Sequence, residues 1–362
     1  MNKIIYLDAA ATAWKSPAMV DAEIALLRGG TANAGRGMCA LAGSMDMSVN
    51  SARRRVAELI CATPGQIVFT SGTTDGMNRI ANMLRGRMNV VAVSDIDHHS
   101  ARLPFEMAAE KTVLFGLDCE FNYDVQNVPY ADVAVITAMS NVMGVAQNVG
   151  GIIRALRDKN PDVITVVDAA QFVAHDAIDV GAWDCDFLCF SGHKIGADTG
   201  IGVMYIKNPE RFSPDKFGGG MVARLMHNGE FSLQPAPDCF EAGTLPLTQI
   251  VGLAPAIDAW DAWDGGCDVR HFIYDALCDI RGVRILTARD ASLISFVPDN
   301  MHPLDLGARL GARGLCVRAG NMCAAWIFRR MNLDGCVRIS NGPWNTMDDA
   351  AAAVRIIKDV LK

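Results

Sequence analysis

From residue 66 to 206, short apolar and β-branched runs alternate with stretches whose apolar residues recur at helical spacing. The runs 67–70, 90–94, 112–115, 133–137, 163–168, 187–191 and 202–206 predict strands, and 73–85 and 150–159 predict helices between them. Such alternation makes βα units, and hence a mostly parallel sheet with helices on both faces. The run Val163-Ile164-Thr165-Val166-Val167 is almost wholly apolar, as a strand buried on both faces has to be. After Gly218-Gly219-Gly220 the texture changes. Residues 221–243 have little periodicity and read as a functional loop, and 246–263 read as a helix. A smaller α+β unit follows, closed by an amphipathic helix over 347–361 with Asn345-Thr346 at its N-cap. The opening MNKIIYLDAAAT reads as a strand entering a loop, expected to pack on this second unit. The organisation predicted is α/β. A large domain over 15–245 carries a mostly parallel seven-stranded sheet, and 1–14 with 246–362 form a small α+β domain.

Composition narrows the class. A chain of 362 residues suits two or three domains, and 51% hydrophobic with 20% charged residues fits an ordered globular protein. The net charge of −7 argues against a nucleic-acid partner, and Arg53-Arg54-Arg55 is expected to be the solvated face of a helix. No apolar run reaches the roughly 18–20 residues of a membrane span. With no export signal either, a cytoplasmic location is expected. The 11 cysteines are odd in number and irregular in spacing, with no CxxC pair and no zinc-like Cys/His pattern. They are expected to be mostly reduced, packed thiols, and no metal site is expected.

Candidate chemistry falls where ligands sit in such sheets, at the carboxyl ends of the strands. Asp168 ends one predicted strand, and Ser191-Gly192-His193-Lys194 leaves another. A buried carboxylate at a strand end needs a cationic partner. An Asp168–Lys194 pair serves either as a structural ion pair or for pyridoxal phosphate chemistry. In the second case the lysine forms the imine and the aspartate keeps the pyridine nitrogen protonated. Ser71-Gly72-Thr73-Thr74-Asp75-Gly76 follows the strand IVFT and opens a helix, a place where free backbone N–H groups and hydroxyls suit a phosphate. His98-His99 follow the strand VVAVS as a stacking imidazole or as polar loop residues. No Walker A or GxGxxG pattern supports nucleotide binding.

In order, FTSGTTDGMN, DHHSA, SNVMGV, VVDAAQ, CDFLCFSGHKIGADTGIGVMYI, FGGGMV, FEAGT, RAGNMCA and VRISNGPWNT resemble the class V aminotransferases. More narrowly they resemble the NifS-like and Suf-type cysteine desulfurases. The resemblance runs from LDAAAT at residue 7 to the last helix, and implies the fold type I of pyridoxal-phosphate-dependent transferases. It implies Lys194 as the Schiff-base lysine and proton shuttle, Asp168 against the pyridine nitrogen and Gln171 at the phenolic oxygen. His98 would stack on the ring and serve as acid or base. Thr73, Thr74, Ser191 and His193 would hold the phosphate, joined by Thr244 from the partner subunit of a homodimer. Asn141 would lie near the ring oxygen and the substrate. Arg338 would take the substrate carboxylate, with Arg318 close by. Cys323 matches the sulfur-accepting cysteine, a thiol expected to be accessible and of lowered pKa. The implied reaction takes L-cysteine to L-alanine and leaves a persulfide on Cys323 for a sulfur-acceptor protein.

Some positions depart from the pattern. Asn321-Met322 stand where two histidines are usual, Asp75 where Glu is common, and no histidine lies near Asn33–Gly37, where Arg36 remains for the partner's site. Another class V activity (aminotransferase, selenocysteine lyase, epimerase or C–S lyase) and a non-catalytic sulfur scaffold are the alternatives.

Overall fold

In the computed structural model, which describes residues 3–35 and 37–362, the seven predicted runs form one sheet. Its order is Ile67–Thr70, Gly202–Ile206, Phe187–Ser191, Ile164–Asp168, Val133–Thr137, Val90–Val93 and Lys111–Leu114. All neighbours are parallel except the two pairs made by Gly202–Ile206, antiparallel on both sides. Val133–Thr137 and Phe187–Ser191 are buried at every residue, which is why these segments show no polar alternation. The parallel strands end together, so the loops after Val93, Thr137, Asp168 and Ser191 open on one edge of the sheet.

The second unit is a four-stranded antiparallel sheet ordered Val283–Ile285, Ile294–Pro298, Cys336–Ile339, Arg318–Gly320. Its core joins Leu7, Ile273, Phe296, Leu306, Val337 and Ile357. Thr346 opens the last helix, Met347–Leu361, in a capping box with Asp349. The first strand, Ile5–Tyr6, pairs in parallel with Leu315–Cys316, and Asp8 bridges to Ser340. The chain then crosses to the large sheet, where the Ala13 N–H donates to the His193 carbonyl at 2.9 Å. Residues 8–13 thus tie the two units together beside the strand ends.

Three expectations change. The boundary at 245/246 falls before the helix Leu247–Asp261, whose Ile250, Leu253, Ala256 and Ile257 join the core of the large sheet. This helix packs on Pro17–Gly29 and Ala40–Leu59, so the small unit starts beyond it. Apolar patterning tells that a helix is buried but not which core buries it. Residues 221–243 are not an irregular loop throughout. Val222–Leu225 and Phe231–Leu233 form an antiparallel hairpin around Asn228-Gly229, with Gly229 at φ 86°. Both strands are largely exposed, so neither face imposed a polar–apolar alternation.

The third change concerns Arg53, which is not on a wet face. It is 4% exposed, and its guanidinium forks onto both Glu241 oxygens at 2.8 Å while reaching the Ile67 carbonyl at 2.6 Å. Removing one partner of such a buried pair costs about 3–5 kcal/mol. Arg54 is exposed, and Arg55 pairs with Asp258 and Asp261. Helical periodicity thus sends adjacent arginines to different faces. Arg36 lies outside the described residues. No helix among the described residues is long and apolar enough to cross a membrane.

Candidate active site

The loops from the strand ends converge on a cavity of about 300 Å³. Lys194, Asp168, Gln171, His98, Thr73, Thr74, Ser191, His193, Asn141, Arg318, Arg338 and Cys323 all line it, whereas Thr244 borders a second cavity of about 610 Å³ beside Arg53 and Glu241.

One end of the cavity is built to receive an anion. The helix Thr73–Met83 starts at Gly72, which has φ 145° and no side chain to cap the first N–H groups. Ser191 Oγ accepts the Thr73 N–H at 2.8 Å and lies 2.8 Å from Thr73 Oγ1, while Thr74 and Ser100 hydroxyls meet at 2.7 Å. A Cβ on Gly202 would come within 2.5 Å of the Gly72 backbone, so only glycine lets this turn press against the neighbouring strand. Burial, then Lys194 and Lys15, hold the His193 imidazole down at about 4, neutral at pH 7.

Asp168 and Lys194 come from adjacent parallel strands. Asp168 is buried and accepts the Ala170 N–H at 2.9 Å. Burial pushes its pKa up to about 6, against the pull of that N–H and of Lys194. Lys194 stands in the turn Gly192–Ile195, and its Nζ donates to the Ala10 carbonyl. Burial, then Arg338, pull its ammonium down to about 7, while Asp168 and Asp8 oppose. Gln171 Nε2 donates to the same Ala10 carbonyl at 2.8 Å. His98 caps the helix His99–Glu106, its Nδ1 accepting the Ser100 N–H at 3.1 Å. Burial, then Lys194, His99 and Arg338, lower its pKa to about 4, so the ring is neutral with its hydrogen on Nε2.

Arg318 and Arg338 face each other across the antiparallel pair of the small sheet. Asp8 sits between them: its Oδ1 lies 3.2 Å from Arg338 Nη2 and its Oδ2 2.7 Å from Arg318 Nη2. Arg338 Nη1 also donates to the Asn141 carbonyl at 2.8 Å. Asp8, within LDAAAT, has no role in the sequence-based site, although a carboxylate just beyond a strand is the signal that marks it. Asp97 was missed as well. It is buried, accepts from Thr137 Oγ1 at 2.7 Å and the Ser94 N–H at 2.6 Å, and so pins the loop that carries His98 to the neighbouring strand. Three buried polar atoms of cavity residues, Asn141 Oδ1, Gln171 Oε1 and Arg338 Nε, have no hydrogen-bond partner among the described residues. Groups of this kind are costly unless a ligand meets them.

Cys323 is exposed at the lip of the cavity. It belongs to a turn in which the Ala324 N–H donates to the Asn321 carbonyl at 2.9 Å. The central residues, Met322 and Cys323, both take positive φ, 50° and 55°. A type I′ turn has these φ signs and ordinarily uses Asn and Gly; each non-glycine residue there costs about 1–3 kcal/mol. Asn321 Oδ1 accepts the Cys323 N–H at 3.3 Å, and Asn141 Nδ2 donates to the Met322 carbonyl at 2.9 Å. Asn321 therefore supports the turn from inside, where two histidines were the expected pattern.

The model of the class V aminotransferase family matches residues 5–352. A probable cysteine desulfurase of Pseudomonas putida is 33% identical, over 95% of this chain and 90% of its own length. The cysteine desulfurase CsdA of Escherichia coli is 32% identical, over 99% of this chain and 94% of its own. A crystal structure of CsdA superposes with a TM-score of 0.90 at 31% identity, covering 99% and 94% of the two chains. An apo cysteine desulfurase from Thermococcus onnurineus superposes with a TM-score of 0.91 at 27% identity, with the same coverage.

Proposed function

The chain belongs to the class V aminotransferase family, among its cysteine desulfurases, and from that footing we propose that it converts L-cysteine to L-alanine and takes the sulfur on Cys323 as a persulfide. The observation that carries this reading is the meeting, in one cavity, of the Asp168–Lys194 pair, the Arg318–Arg338 pair and an accessible thiol.

The residues present fit pyridoxal phosphate. The uncapped helix start with Thr73, Thr74 and Ser191 suits its phosphate, Asp168 its ring nitrogen, and the Gln171 and Asn141 amides, whose hydrogen bonding is incomplete, its polar edge. Lys194 would hold it covalently, and when bound it supplies an electron sink at the substrate Cα. The rest falls to the chain. Arg338 and Arg318 orient the substrate by its carboxylate, a group they already grip in Asp8. Lys194 moves the Cα proton, and its lowered pKa leaves it able both to take and to give one near neutrality. Neutral His98 keeps a proton on Nε2 and would pack against the ring. The Cys323 sulfur bonds to the substrate sulfur as the substrate Cβ–S bond breaks, and Cβ gains a proton. L-cysteine and a thiol thus become L-alanine and a persulfide, which an acceptor protein can reach at the cavity lip.

The purified protein is expected to make alanine from L-cysteine and, with a reductant, an equal amount of sulfide. Cys323→Ala is expected to cut this by about tenfold or more, since it lacks the nucleophile. No alanine, with cofactor absorbance still responding to other amino acids, would move the reaction to another class V chemistry.

A homodimer completes the reading. Thr244 is exposed and borders the second cavity rather than the first. Phe217, Leu225 and Phe231 stand exposed on and beside the nearby hairpin, an apolar surface suited to a second copy. Sedimentation of the active enzyme should report a dimer, and a strictly monomeric active enzyme would refute this.

A further inference from the structure

His99 does not line the cavity, yet it touches the Cys323 turn and the start of the following helix at three points. Its backbone N–H donates to the Cys323 carbonyl at 2.8 Å. Its Nε2 accepts the Ala325 N–H at 3.2 Å. Its ring meets the Trp326 indole edge-on, with centroids 5.1 Å apart and planes at 86°. Trp326 in turn lies against the Arg102 guanidinium, 4.0 Å from the ring centroid. An imidazole nitrogen accepts only when it carries no proton, so His99 is neutral with its hydrogen on Nδ1. Burial, then the Arg102 charge, favour that form.

The turn needs external support. Met322 and Cys323 occupy the left-handed region side by side, where a side chain crowds the backbone and a free chain would leave. Asn141 grips the carbonyl of Met322, and His99 grips Cys323 and Ala325. Strain of this kind persists only where the surroundings over-determine it.

We propose that His99 is a positioning residue for sulfur transfer: it holds the Cys323 turn in its left-handed form and so keeps the thiol beside the cavity. The adjacent histidines divide the work, His98 facing the cavity and His99 fastening the loop that brings the acceptor thiol to it. The positioning role rests on Cys323 being the sulfur acceptor, whereas the anchoring stands on the contacts alone.

Two variants separate these claims. His99→Phe keeps a ring for Trp326 and loses the acceptor, and His99→Gln returns an acceptor oxygen. Hydrogen exchange by mass spectrometry across 319–326 of the holoenzyme reads the anchor. Single-turnover persulfide formation on Cys323 reads the positioning, and L-alanine binding, followed by cofactor absorbance, reads the rest of the site. In His99→Phe the segment is expected to exchange about tenfold faster and the persulfide to form about tenfold slower, with L-alanine affinity unchanged. His99→Gln should bring both back to within about threefold of the wild type. Unchanged exchange in His99→Phe overturns the side-chain anchor, because the backbone N–H bond to the Cys323 carbonyl is common to the wild type and both variants. Faster exchange with unchanged persulfide formation overturns the positioning role, and a His99→Gln variant that restores neither overturns the hydrogen-bond account. A wild type that never forms a persulfide on Cys323 defeats the sulfur-acceptor reading instead, and the exchange comparison still stands.

Discussion

Lys194→Ala should turn over L-cysteine at least about 1,000-fold more slowly than the wild type, since proton transfer by a placed side chain contributes about 10²–10⁴. No other amine among the cavity residues can take its place. The remaining cations there are Arg318 and Arg338, whose guanidiniums do not give up a proton in a protein. Two readouts separate this from misfolding. Borohydride should fix pyridoxal phosphate irreversibly to the wild type and leave the variant strippable by denaturation. Thermal melting of the cofactor-free proteins should stay close, because Lys194 makes one hydrogen bond, to the Ala10 carbonyl, and its charge is disfavoured by burial and by Arg338. A variant that keeps the reducible link would place the cofactor on another residue and sink the assignment.

Asp168→Asn is expected to lower turnover roughly 100- to 1,000-fold, the range seen when one preorganised electrostatic partner is removed. Asparagine fills the same space and can still accept the Ala170 N–H, so the loss is of charge rather than of shape. Stability should move the other way. The Asp168 pKa is raised to about 6 in the fold, from an ordinary value near 4, so the folded cofactor-free protein binds this proton more tightly than the unfolded chain. That contribution is fully present below about pH 4 and is lost as pH rises through about 6, a change of about 3 kcal/mol. The cofactor-free Asn variant, which has no charge to bury, should be more stable than the wild type by about that much at pH 8 and no different at pH 3.5. Denaturant midpoints at the two pH values check it. Near-normal turnover in the variant would show that Asp168 does not face the ring nitrogen.

The contrast between Arg53 and Lys194 shows what kind of information a chain carries locally. Lys194 was legible because it directly follows a strand too apolar to be anything but buried, so its exit from the sheet was bound to open at the carboxyl edge. Asp168 and His98 were legible for the same reason: each lies at or just beyond the carboxyl end of a strand whose position the hydrophobic pattern already implied, whereas Asn141 was named only through the family resemblance. Arg53 sits in a run of three arginines on a long helix, and nothing within a few residues distinguishes the one that turns inward. Its partner, Glu241, is 188 residues away in sequence. The same holds for the helix Leu247–Asp261, whose apolar residues suit either core, and for the hairpin, whose exposed strands carry no alternation to read.

The sequence by itself determined the seven-stranded, mostly parallel sheet and the strand-end loops that bring Lys194, Asp168, His98, Thr73 and Ser191 together. Hydrophobic runs and small turn residues act over a few positions and need no distant partner to be read. Only the tertiary structure decided the features made between segments far apart in the chain. Asp8, just beyond the first strand, lies between Arg318 and Arg338 of the small sheet. The Ala10 carbonyl receives both Lys194 and Gln171. His99 and Asn141, from two loops of the large sheet, hold a left-handed turn at Met322-Cys323 that no local preference would form. Backbone propensity favours leaving that conformation, and contacts supplied from more than 180 residues away keep it in place.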